Sequence, residues 1–481
     1  MHLSRVVSKW ACFVSYAHLS IAAIHWPDLR MERLEEQLWG DGGIPLIPGR
    51  CTPRNNSTIS AEWVRLAYHD MATHNIEDGT GGLDASIAFE LDRAQNVGVG
   101  MTASVNDFLP FTDPGVSLAD AIALGTVLGV ASCGGPFIPF RGGRVDATSA
   151  GPATVPEPQQ DLASHTESFR RQGFTQSEMI GLVACGHSLG GVRRDDFPEI
   201  IQESIEGTNV ALFDGTQGFD NTVLASPDNF NKICVDLLER MINTVPQGVQ
   251  LTDVVEPIQY KVGQSALFPT NDGFLRFTTS LRVIGLNSPT IVTLFYTDRQ
   301  ASACPTTGCS TSPSGTLVSR GSFMSIKRGL SGYTTFEFDA KINASTPISR
   351  FWFEVDEGDG SGPVLVDNDG AGLLITQDTI LFDRARSSFV TGGLQNVVVA
   401  VRTDDPSTKV SLLTYTAGTQ ASPTPKRETV DLPVDSRFPP MAGYTFFSGN
   451  FPSSLQWVDI AAEVGGETIR ETNVRLNILL G

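Results

Sequence analysis

The chain has 481 residues, 41% of them apolar, with seven cysteines and a formal net charge of −19. At roughly 150 residues per domain, that length leaves room for two or three cores. The acidic balance, without any basic stripe, argues against a nucleic-acid partner, whose phosphates would need neutralising, and weakly against polyanionic substrates.

The N-terminus places Arg5 and Lys9 ahead of a mostly apolar run from Trp10 to Ile24, with small residues at Ala22 and Ala23. Residues 1–25 therefore read as a secretory signal, although His18 and Ser20 dilute the run and a cytosolic first helix is the alternative. No other stretch reaches the apolar length of a membrane span. Sequons at Asn55-Asn56-Ser57, Asn56-Ser57-Thr58 and Asn343-Ala344-Ser345 add modest support for secretion.

Residues 26–258 are patterned as helices. Apolar spacing predicts them at 29–38, 61–74, 117–131, 162–172, 175–189 and 227–243. The fifth opens on a Thr-Gln-Ser-Glu capping box. After about Tyr260 the period changes. Runs at 274–284, 290–297, 333–342, 350–355, 397–401 and 409–415 are rich in β-branched and aromatic residues and separated by turn formers. They predict an all-β, sandwich-like domain over 263–481, with the boundary between Pro257 and Gly263.

Two histidines organise the helical half. His69 lies in Arg65-Leu66-Ala67-Tyr68-His69-Asp70, and His187 in Val183-Ala184-Cys185-Gly186-His187-Ser188-Leu189-Gly190. Arg65 is one turn before His69 and shares its face. Peroxide chemistry at a haem needs this set: a base and a cation above the iron, and an imidazole ligand below. His69 would take a proton from bound peroxide and return it to the leaving oxygen. Arg65 would stabilise the charge that develops as the O–O bond breaks. The second ring nitrogen then needs an acceptor, for which Asn96 is the candidate, oriented by Glu90. His187 would bind the iron, with Asp253 as the carboxylate on its other nitrogen. Asp70, Asp84 and Ser86, with backbone from Gly82, form a candidate hard-cation site, and Ser188, Asp214, Thr216 and Asp220 a second. Asp120 and Arg144 are a candidate buried ion pair. Taken singly, each has a blander reading: a core or surface histidine, a turn rich in Asp and Ser, a surface pair.

Among the cysteines, Cys304 and Cys309 predict a local disulfide in a Pro/Thr/Gly/Ser loop. Cys51 and Cys133 can bridge the loop before the His69 helix to the loop after 117–131. Cys185, inside an apolar helix, reads as a buried thiol. Cys12 would leave with the signal, and Cys234 has no partner that the sequence singles out.

In order and interval, these segments resemble the plant-type haem peroxidase superfamily, closest to its secreted fungal branch, over roughly residues 26–258. Arg65 to Asp70 resembles the distal signature, Gly82-Leu83-Asp84-Ala85-Ser86 the distal calcium loop, and Val183 to Gly190 the proximal signature. Glu90 and Asn96 keep the family interval, Asp120 and Arg144 match its structural salt bridge, and Cys51 and Cys133 match one disulfide of the fungal branch. Phe213-Asp214-Gly215-Thr216 resembles the proximal Phe and calcium segment. The resemblance implies one haem b, calcium at two sites, and a mainly α peroxidase fold ahead of the β domain. It also implies hydrogen peroxide as substrate and one-electron oxidation of small phenolic donors.

Departures from the fungal pattern refine this. Tyr68 replaces the usual Phe, placing an oxidisable ring at the distal face. The 213–220 stretch is one residue short, which weakens the proximal cation site. Thr58, Glu62 and Arg193 stand where manganese-oxidising members carry three carboxylates, and one acid with one cation disfavours Mn²⁺. Leu182 stands where lignin peroxidases carry a surface Trp. Cytochrome c and ascorbate peroxidases resemble the helical half too, but the Phe213 segment lacks their proximal Trp. A second reading is a secreted carbohydrate- or cell-surface-binding protein, in which the β domain meets a polysaccharide and the helical half is a scaffold. In a third, the β half shields the haem edge or aids oligomerisation.

Overall fold

The computed structural model describes residues 24–476 apart from 41–43, 45–46, 50, 56, 158, 189–225, 286–289, 303 and 305–307. Its helices are α1 (Leu29–Trp39), α2 (Ile59–Met71), α3 (Val99–Phe108), α4 (Leu118–Ser132), α5 (Leu162–Arg171), α6 (Gln176–His187), α7 (Pro227–Ile242) and, within the β half, the short α8 (Phe323–Lys327). An N-terminal helical region thus precedes a region built of β-sheets, as the pattern change near Tyr260 predicts. No described helix is long and apolar enough to cross a membrane.

Side-chain caps start most of these helices. Asp28, Thr58, Ser117, Asp161 and Thr175 each accept from the amide three residues on, and Thr175 and Glu178 complete the capping box. Helix α4 is apolar on every side and is buried almost throughout, so it forms the spine of the helical core. Helix α2 packs across it and buries Trp63, Leu66, Ala67 and Met71, leaving Arg65, Tyr68 and His69 on a half-buried face. Helix α3 was not predicted. Its Gly, Ser, Thr and Asn residues are weak helix formers, and burial of Met101, Val105 and Phe108 supplies what propensity lacks.

Arg144 ties the spine to α7. Its guanidinium lies 3.0 Å from Asp120 on α4, its Nε donates to the Ile242 carbonyl at 3.0 Å, and its Nη2 donates to Asn243 Oδ1 at 3.2 Å. Both members of the predicted pair are buried.

Among the described residues the β half holds four antiparallel sheets. The strand at Phe274–Ile284 begins and ends where the sequence placed it, and the other five predicted runs lie inside observed strands or within a residue of their ends. Two sheets, centred on Phe274–Ile284 with Tyr333–Asn343 and on Ile291–Asp298 with Ile348–Asp356, enclose one core. The other two, centred on Leu394–Arg402 with Tyr444–Pro452 and on Val410–Thr416 with Trp457–Val464, enclose a second. Leu394–Arg402 is buried on both faces: Val398 and Ala400 enter the first core, and Val397, Val399 and Val401 the second.

Cys51–Cys133 and Cys304–Cys309 are bonded, with Cα atoms 4.5 and 5.1 Å apart. Cys185 is not a free thiol. It is bonded to Cys234, with a Cα separation of 5.5 Å, because α6 and α7 pack side by side. The predicted signal lies outside the described residues except for its last two. Ile24 is buried in the first β core, and His25 lies 2.7 Å from Glu32 and 2.9 Å from the Asn473 carbonyl.

Helix α1 joins the two halves. The Glu35 carboxylate is completely buried between Lys261 Nζ, at 2.6 Å, and Arg282, whose Nη1 is at 3.2 Å. Burial alone would raise this carboxyl, but the two cations outweigh it and hold it below its ordinary value. In the reverse direction, Met324 of α8 packs into the helical core, and the Ser325 hydroxyl donates to the Trp39 carbonyl at 2.9 Å. Glu35→Ala leaves two buried cations uncompensated, and a loss of about 3–5 kcal/mol is expected in denaturant titration. The sign of the pH effect follows from the lowered carboxyl. Its stabilisation is complete above pH 4.5, the ordinary value, and is lost as acidification passes the depressed folded value. An acid-induced weakening seen in the wild type should therefore be smaller in Glu35→Ala.

Candidate active site

The half-buried side of α2 and the 90–97 loop build one half of the site. His69 Nδ1 lies 2.8 Å from Asn96 Oδ1, and Asn96 Nδ2 donates to the Glu90 main-chain carbonyl at 2.9 Å. The amide nitrogen is thus committed, so Asn96 presents its oxygen to the ring. Nδ1 must then carry the hydrogen, and Nε2 keeps its lone pair. Glu90 orients Asn96 as expected, but through its backbone. Its carboxylate accepts from the Gly151 amide at 2.7 Å and lies 2.9 Å from Arg93. Burial and the Arg65 charge drive the His69 imidazole down to about 3, against the opposing pull of Asn96, so the ring is a neutral base at ordinary pH. Arg65 is held by the same loop: Nη1 donates to the Val97 carbonyl at 3.1 Å and Nη2 to that of Gln95 at 3.5 Å. Tyr68 stacks on Phe169 at 5.7 Å and meets His69 edge-on at 6.0 Å, and burial pushes its phenol well above its ordinary value.

Next to it, the four distal cation candidates come together. Asp70 is buried and accepts from the Ala85 amide at 2.7 Å and the Ile87 amide at 2.9 Å, while Asp84 accepts from the Ser86 amide at 3.1 Å. The Gly82 carbonyl accepts from the Asp84 amide at 3.0 Å. Burial and the charge of Asp84 raise the Asp70 carboxyl well above its usual range. Among the described residues no group of three or more His, Cys, Asp or Glu side chains is poised around a metal position.

His187 ends α6, a helix that packs against α2. Its imidazole is exposed, has no hydrogen-bond partner among the described residues, and is shifted down by desolvation toward the neutral form. The structure does not bring Asp253 to it. Asp253 is exposed, in the segment that pairs with Arg141 and Gly142. Ser188 is exposed, and its hydroxyl donates back to the Cys185 carbonyl at 2.8 Å. Phe213, Asp214, Thr216, Asp220 and Arg193 lie outside the described residues.

Two site features escaped the sequence. Glu62, the one acid at the manganese positions, is buried and neutralised by Arg54, whose Nε donates to it at 2.6 Å. Arg54 also donates to Asp107 at 2.8 Å. Nothing in the local pattern marks Arg54 as that partner. The second is the Cys185–Cys234 bond, for which a signal existed. With Cys12 set aside and two pairs assigned, these two cysteines remain.

Known proteins resemble this chain over part of its helical half and, in one case, over most of its length. A family model described as "Peroxidase" matches residues 50–233. A WSC domain-containing protein of Arthroderma benhamiae is 31% identical over 467 residues, covering 86% of this chain and 61% of that protein. L-ascorbate peroxidase 5 of Arabidopsis thaliana is 37% identical over 134 residues, 27% of this chain and 48% of its own length. Mitochondrial cytochrome c peroxidase of Yarrowia lipolytica is 33% identical over 133 residues, 26% and 39% respectively. The chain thus spans about three-fifths of the first relative and less than half of the other two. These relatives do not single out the secreted fungal branch. The chain carries a peroxidase-like helical domain fused to a second, β-sheet domain.

Proposed function

We propose that this protein is a haem peroxidase that reduces hydrogen peroxide and oxidises small, phenolic-type donors in one-electron steps. The observation that carries the reading is the relay from His69 through Asn96 to the Glu90 carbonyl, with Arg65 on the same helix face. The donor set fits haem. One imidazole is fixed by its Nδ1 and keeps Nε2 free, and a second, neutral and unpartnered among the described residues, stands on an adjoining helix. His187 would hold the iron, and haem would supply the redox centre at which peroxide is reduced.

The residues of this chain then do the proton work. His69 Nε2 takes the proton from the near oxygen of peroxide and delivers it to the far oxygen, which departs as water. Asn96 keeps the ring in the tautomer that can do so. The Arg65 guanidinium, already anchored to two carbonyls, meets the developing negative charge without reorganising. A calcium ion at Asp70, Asp84, Ser86 and the Gly82 carbonyl would offset the repulsion between the two acids. Three disulfides among the described residues favour an oxidising, extracellular setting.

The purified protein should show a Soret band that responds to peroxide, and its absence would remove the reading. His187→Ala should abolish haem retention. His69→Ala should keep the haem and slow peroxide cleavage by about 10²–10⁴-fold in stopped-flow measurements. Asn96→Leu leaves the ring in place without its acceptor, and a fall of about 10–100-fold in the same rate is expected. A rate equal to wild type would show that the relay does not set the base.

A further inference from the structure

We propose that the Cys185–Cys234 disulfide positions His187, an inference that rests on the haem reading above. Helix α6 is fastened to α7 at three levels. Near its start, Glu178 pairs with Arg240, whose Nη2 is 3.1 Å from the carboxylate. One turn on, Leu237 leans against Gly181 so closely that a Cβ there would lie 2.7 Å from its Cδ1. Close to the end, Cys185 is bonded to Cys234. Beyond that bond the described residues offer no further anchor. A Cβ on Gly186 would meet nothing within 4 Å, His187 is exposed, and Ser188 turns back onto its own helix. Cys185 lies only two residues, about 3 Å of helix rise, before His187. The direction of the imidazole is therefore inherited from the bond.

Helix α7 can serve as the fixed side. Leu238, Met241 and Ile242 are buried, and its last carbonyl is held by Arg144, itself paired with Asp120 on α4. Rigid contacts thus run from α4 through Arg144, α7 and the disulfide to His187. Both half-cystines are buried, at 1% and 4% exposure, so the bond is a structural strut that external thiols reach slowly.

The test compares the full-length wild type with Cys185→Ala/Cys234→Ala, and with Leu237→Ala as a control that loosens the same helix pair without touching the bond. The readouts are haem loss to excess apomyoglobin and the iron–imidazole stretching band of the ferrous protein. The double variant should release haem about tenfold faster or more and show a shifted or broadened band. Leu237→Ala should lower the melting temperature and leave the band unchanged. An unchanged band and release rate in the double variant would overturn the proposal. If the double variant does not fold, native mass spectrometry of partially reduced wild type replaces it. Haem should then be lost faster from molecules whose 185–234 bond is reduced, and equal retention on intact and reduced molecules would equally overturn the proposal. A wild type that binds no haem defeats both readings, whereas haem ligated by His187 with no effect of the bond defeats this one alone.

Discussion

The buried guanidinium of Arg144 is the contact on which the helical half depends. A charge in that position costs several kcal/mol unless every hydrogen-bonding group finds a partner. Here the partners come from three places that would otherwise drift: Asp120 in the N-terminal turn of α4, the Arg141 carbonyl just before the Gly142-Gly143 turn, and the Ile242 carbonyl with the Asn243 side chain at the end of α7. Cationic charge at a helix C-terminus is favourable in its own right, because the last carbonyls carry partial negative charge. The base-bearing helix α2 lies on α4, and α6 lies on α7, so one satisfied charge sets the frame for both histidines.

The two halves of the chain exchange parts. The N-terminal Ile24 belongs to a β core, and Met324, far along in the β half, belongs to the helical core. Between them the Glu35 carboxylate sits fully buried between two cations drawn from the β strands. Such an arrangement differs from a linker-joined pair of modules, whose surfaces meet through exposed, screened charges. The β region is therefore part of the scaffold that carries the helical site.

Much of this was legible. Arg65 and His69 share a face because they are four apart, and that spacing is visible without coordinates. Phe274–Ile284 alternates apolar and polar residues so regularly that its limits could be read directly. The failures have physical causes. Lys426–Leu432 is an edge strand whose charged residues face solvent, so no apolar period announces it. Helix α3 owes its existence to tertiary burial. Glu90 acts through a carbonyl, and every residue has one, so its identity is silent on that role. Arg54 and Glu62 meet through a hairpin turn that local spacing does not reveal. Asp253 was placed by interval alone, and interval does not fix the direction of a side chain.

The strand Leu394–Arg402 has no solvent side over most of its length. Like the middle course of a wall with rooms on either side, it belongs to both sandwiches, and a defect in it is shared by both. The four sheets should for that reason come apart together, making the second half of the chain a single cooperative block that cannot be trimmed sheet by sheet.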